Sequence, residues 1–133
     1  MLEVFSKDET VNGGASIPLD QVAIKKGRTA ELQGSASIVL NRCGVYKVSV
    51  NASVTPTGAG IASIQMTKNG ALVDNAISQC TAEADTQYAL GFTTLVQVPN
   101  NNTNCPCEAP TVIAFVNGAA GSVDIDVVID KIV

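Results

Sequence analysis

Along most of this chain, apolar and polar residues alternate with a period of two. In GVYKVSVNASV (44–54) Tyr46, Val48, Val50, Ala52 and Val54 share one face, and Lys47, Ser49, Asn51 and Ser53 share the other. That is the pattern of a half-buried antiparallel strand. Pro56 and the glycines at 58 and 60 end it. IASIQMTK (61–68) alternates in the same way and runs into Asn69-Gly70. Both residues tolerate the positive φ of a type I′ turn, which predicts a hairpin pairing 61–68 with 71–77. QYALGFTTLVQV (87–98) makes another long strand, closed by Pro99 and the loop-like run NNNTNCPCEAP. TVIAFVN (111–117) is a short apolar strand with the turn GAAG after it. SVDIDVVIDKIV (122–133) closes the chain with Val123, Ile125, Val127 and Ile129 opposite Asp124, Asp126 and Asp130.

The first forty residues read as short strands, LEVF, VAIK, TAELQ and SASIVL, separated by NGGAS, KKGR and QGS. Short strands at such spacing with Gly-rich turns indicate a sandwich or barrel. No window carries a helical period, and no repeat or linker divides the chain. The expectation is one all-β, antiparallel domain over residues 1–133.

Composition adds a constraint on assembly. Charged residues make up 15% of the chain and apolar ones 46%, whereas an ordinary soluble domain carries about a quarter charged residues. A monomer so poor in charge exposes much neutral or apolar surface, and burial against identical neighbours is the expected remedy. The net charge of -4 and pI near 4.5 argue against nucleic acid and anionic membranes as partners. Lys25, Lys26 and Arg28 form the single basic cluster. The N-terminus, MLEVFSKDET, reaches charged residues too early for a signal peptide, and no uninterrupted apolar run is long enough to span a membrane. For Cys43, Cys80, Cys105 and Cys107 the expected state is therefore the reduced thiol.

Candidate chemistry is sparse. The chain has no histidine, which removes Ser-His-Asp and Cys-His catalysis and His-ligated zinc. Cys105-Pro106-Cys107 could offer two thiolates to a metal, with Cys43 and Cys80 completing the set. The spacing is not the two-residue gap that metal and redox motifs use, so small buried or loop thiols are expected instead. Asp124, Asp126 and Asp130 sit at strand spacing on one face. Paired carboxylates can bind calcium or work as acid and base. Without a ligand loop, the solvated face of a terminal strand is the expected reading, and neither a metal nor a cofactor is assigned. The glycine-rich turns match no phosphate loop.

Gly44-Val45-Tyr46 opening a long alternating strand, followed by Lys68-Asn69-Gly70 at the next hairpin, resembles the tumour necrosis factor and complement globular-head superfamily. There a Gly-x-Tyr begins a central strand and a Lys-Asn-Gly hairpin follows. TTLVQVPNN looks like that superfamily's later valine-rich strand, and SVDIDVVIDKIV occupies the place of its closing strand. The resemblance covers roughly residues 40–133. It implies a jelly-roll β-sandwich that assembles as a trimer. The chain departs from the superfamily in its few aromatics and in lacking the acidic Gly-Asp turn. Its Gly-, Ser- and Ala-rich, charge-poor style is similar to small jelly-roll proteins of bacteriophage structural gene clusters, where a trimer decorates a capsid or forms a head fibre.

The function this implies is a non-catalytic virion structural protein, a homotrimer on the virion surface. Its partner would be the major capsid protein. The rival is a receptor-binding or carbohydrate-binding tip module of a tail or fibre. The trimer interface is expected on the outward sheet of the long strands, anchored by Tyr46, Tyr88, Leu90 and Phe92; for Tyr46 and Phe92, packing inside the subunit is an equal alternative. Attachment is expected through residues 1–10, with Leu2, Val4 and Phe5 in contact.

Overall fold

The computed structural model describes residues 1–27, 29–99 and 111–133. Ten strands follow one another: β1 (Leu2–Val11), β2 (Gln21–Lys25), β3 (Ala30–Gln33), β4 (Ser37–Leu40), β5 (Gly44–Pro56), β6 (Gly60–Lys68), β7 (Ala71–Ala82), β8 (Tyr88–Val98), β9 (Thr111–Asn117) and β10 (Gly121–Lys131). They form two five-stranded antiparallel sheets, β2-β1-β10-β5-β8 and β3-β4-β9-β6-β7, stacked as a jelly-roll sandwich. We call them the first and second sheet.

The alternation decides which side of each strand is buried. On β10, Val123, Ile125, Val127 and Ile129 are all buried, and on β5 so are Tyr46, Val48, Val50, Ala52 and Val54. Ile64, Met66, Ile113 and Phe115 meet them from the second sheet. Burying each Val, Ile, Met or Phe side chain among them stabilises the fold by roughly 1.5–3 kcal/mol.

Two strands run longer than their alternation predicts, and bulges explain both. In β1, Ser6 pairs with Ile125 but Glu9 pairs with Val123, so β1 holds one extra residue. The bulge moves the inward set from Leu2, Val4 and Ser6 to Val11, and Asp8 takes a positive φ of 56°. Where β6 meets β7, Gln65 pairs with Ile77 but Thr67 with Leu72, so β7 holds three extra residues and reaches Ala82 rather than residue 77. The Asn69-Gly70 turn forms as predicted, with φ of 52° and 87°. Asn69 also ties the turn to β9: its N–H donates to the Val112 carbonyl at 2.7 Å, and its Oδ1 accepts from the Val112 N–H at 2.9 Å.

Two features outside the strand pattern complete the core. Residues 15–19 form no regular strand, yet Ile17 and Leu19 are fully buried, held by backbone bonds from Ile17 to Phe115 and from Leu19 to Ser35. Asn117, 1% exposed, donates through Nδ2 to the carbonyls of Val11 (3.3 Å) and Ala119 (2.6 Å), locking the ends of β1 and β9 together.

Candidate functional site

The outward face of the first sheet is the surface with the most distinctive chemistry. Register fixes its members. Asp126 of β10 stands between Phe5 of β1 and Asn51 of β5, and Asn51 faces Gly91 of β8. Asp124 stands beside Ser53, which faces Ala89. Where the side chains are small, the sheet surface sinks into an open depression of about 580 Å³, walled on one side by Phe5. Gly91 belongs to its floor, and a Cβ there would come within 2.7 Å of the Val50 carbonyl oxygen. The close approach of β8 to β5 thus requires glycine at this point.

The carboxylates on this face have unequal roles. Asp124 accepts the N–H of Asp8 at the β1 bulge, so its charge stabilises a strained turn of backbone. Asp126 is a diagonal cross-strand neighbour of Glu3, since Glu3 pairs with Val128 and Phe5 with Asp126. Partial burial, and then the hydrogen bond and negative charge of Glu3, push the Asp126 carboxyl up to about 6. Asp130 is exposed near the end of the strand, opposite Lys47. Among the described residues no group of three or more His, Cys, Asp or Glu side chains is placed to hold a metal ion.

The proposed anchors lie on the other side of this sheet. Tyr46 is fully buried, its hydroxyl 2.8 Å from the Arg42 carbonyl and 3.3 Å from that of Thr29. Burial pushes its phenol up from the ordinary value. Leu90 is 6% exposed. Phe92 is half-buried, packed against the core with its ring 6.4 Å from that of Phe115 at a 47° tilt. Tyr88 packs against the same cluster and accepts the Glu83 N–H at 2.8 Å. Strand pairing places all four toward the second sheet, so they pack inside the subunit and are not the outward anchors that were expected. The physical reason is that the bulkier side of a sandwich strand fills the space between the sheets. Leu2 and Val4 are likewise fully buried, and of the attachment candidates Phe5 alone turns outward.

The cysteines divide as well. Cys43 is disulfide-bonded, which corrects the expectation of reduced thiols, and Cys80 is a free thiol packed against the core. Cys105 and Cys107 lie outside the described residues. The depression itself was missed in the sequence. Its signal was the run of small residues on the polar sides of β5 and β8, Ser49, Asn51 and Ser53 with Ala89 and Gly91.

No protein-family model matches this chain, and no curated protein matches it in sequence. Solved structures do match its fold. The globular domain of zebrafish complement 1qA superposes with a TM-score of 0.71 at 7% identity, covering 99% of this chain and 96% of that one. Murine APRIL gives 0.63 at 11% identity over 98% of each chain. PRD1 vertex protein P5 gives 0.62 at 15% identity, over 99% of this chain and 96% of that one. At these identities the likeness shows the fold: a jelly roll of the tumour necrosis factor and complement type, as the resemblance in sequence implied.

Proposed function

We propose that this chain is a non-catalytic structural protein of a virion surface, a homotrimer that decorates a capsid or forms a head fibre. The observation that carries the reading is the outward face of the first sheet. A broad sheet surface with Ser49, Asn51, Ser53, Ala89, Gly91 and Thr93 across two strands carries no charge there. Such a surface costs little to desolvate and lets another chain approach closely. The exposed Leu95, at the end of the same face of β8, adds apolar area for a partner to cover. The likeness to PRD1 vertex protein P5 over nearly the whole of both chains supports a place in a viral shell, and the lack of histidine supports a role without catalysis.

Self-association through this face covers Phe5 and leaves capsid attachment to the rest of residues 1–10, and the major capsid protein is the partner this reading names. A carbohydrate-binding tip gains no support: Phe5 is the one aromatic lining the depression, and the other four pack inward.

Light scattering behind a sizing column tests the assembly. The expected particle is three times 13.7 kDa, unchanged by a chelator. Ala89→Arg, at an exposed position on the face, should return it to the monomer while changing monomer stability by less than about 0.5 kcal/mol. A wild-type monomer at every concentration sinks the trimer. Absence of the chain from purified virions encoded alongside it sinks the virion role.

A further inference from the structure

The least expected feature of a neutral, coverable face is a pair of carboxylic acids set into it. Glu3 and Asp126 come from opposite ends of the chain and meet diagonally across β1 and β10. Two carboxyls set diagonally on adjacent strands repel each other when both are charged, and they can share a hydrogen bond only while one keeps its proton. The pair borders the depression through Asp126, between Phe5 and Asn51.

The surrounding groups offer it little compensation. On β10 the other charged side chains of this face are Asp124 and Asp130. On β1, Lys7 lies beyond Phe5 and lines the same depression at the bulge where Asp124 caps the Asp8 N–H, and the Met1 ammonium, two residues before Glu3, donates to the Lys26 carbonyl. On β5 the direct neighbour of Asp126 is Asn51, with Ser49 and Ser53 beside it, and Lys47 faces Asp130. On β8 the facing residues are Ala89, Gly91 and Thr93, none of which titrates. On β2, Gln21 and Ile24 lie beside Phe5 and Glu3, while Lys25 pairs with Leu2 and makes its ion pair with Glu31 at 3.4 Å.

We propose that the Glu3–Asp126 pair is a pH switch on self-association, holding one proton while a neighbouring copy covers the face and releasing it when the face opens to water. This deepens the reading above and rests on self-association through the first sheet. Covering the face withdraws water from both carboxyls, which favours the shared proton over two charges. The raised Asp126 carboxyl of the uncovered protein, at about 6, is the starting point from which covering moves it further up. The sign follows: the assembled state binds the proton more tightly, so assembly is strongest in mild acid and weakens as pH rises through neutrality. Two full charges would then face the partner's surface.

Sedimentation equilibrium from about pH 5 to about pH 8 at constant salt tests this, on the wild type, Asp126→Asn and Glu3→Gln. For the wild type, the association constant is expected to fall about tenfold per pH unit for each proton released, above about pH 6. Either amide variant should lose that slope and stay assembled at the alkaline end. As a second readout, carbon-detected NMR of the Asp126 carboxyl should show it titrating higher in the assembled protein than in the Ala89→Arg monomer. An assembled wild type with the same constant across the range overturns the switch and leaves self-association standing. A wild type monomeric at both ends of the range overturns the self-association reading and the switch with it.

Discussion

The two faces of β10 are made from one stretch of sequence and do opposite work. Inward, Val123, Ile125, Val127 and Ile129 are 0–2% exposed and join the core between the sheets. Outward, Ser122, Asp124, Asp126, Val128 and Asp130 keep access to water, and one of them caps a bulge while another lies diagonally beside Glu3. The inner face is large, apolar and interdigitated, so its value lies in volume and shape. The outer face is small and neutral around an acidic pair, so its value lies in what can approach it and at what pH. A period of two lets one strand meet both demands without compromise, because neighbouring residues never share a face.

If that division holds, damage to the inner face should appear in stability and damage to the outer face in assembly. The largest effect is expected from Phe115→Ala. Phe115 is fully buried between the sheets, and its loss should cost about 3–5 kcal/mol in urea unfolding. A cost near that of a surface substitution would mean the core is not where burial places it. Asn117→Ala comes next. It strands the carbonyls of Val11 and Ala119 in the interior and should cost about 1–3 kcal/mol. An unchanged urea midpoint would show that water reaches those carbonyls.

A smaller stability effect, on the outer face and dependent on pH, is expected from Asp126→Asn. The folded protein holds the Asp126 proton more tightly than the unfolded chain does, at about 6 against 3.8. The contribution of this group to stability is therefore complete below the lower value and is lost as pH rises through the higher one. The amide removes that loss, so the variant should match the wild type in acid. Above neutrality it should exceed the wild type by about 1 kcal/mol, once solvent screening of a partly exposed group is allowed for. A gain of equal size at both ends of the pH range would assign the effect to packing instead of the proton.

Much of the architecture was legible because strand alternation is a local property. Strands β5, β6, β8, β9 and β10 follow the periodicity of their own residues, and the Asn69-Gly70 turn follows from the backbone freedom of two residues. Legibility failed where an irregularity broke the period. LEVFSKDETV reads as a four-residue strand because its apolar positions change parity at Lys7 and Asp8, and only a partner strand shows that a bulge absorbs the change. Ile17 and Leu19, in a segment outside the ten strands that makes one isolated bridge, from Ser16 to Val116, gave no periodic signal and are nevertheless fully buried. The candidate site was half legible: Asp124 and Asp126 stood out as neighbours on a face, while Glu3 had no reason to be grouped with them.

The sequence by itself determined an all-β chain, the strands that carry it and the composition of each strand's two faces, because a pleated backbone turns every second side chain the same way. The tertiary structure decided which face is which. Tyr46, Tyr88, Leu90 and Phe92 could have been outward anchors until the second sheet packed against them, since bulky apolar side chains gain most by filling the space between two sheets. It also decided that Glu3 meets Asp126. Pairing between the first strand and the last is a contact between distant parts of the chain, and only the closed sandwich, in which β1 and β10 lie side by side, brings the two carboxyls together.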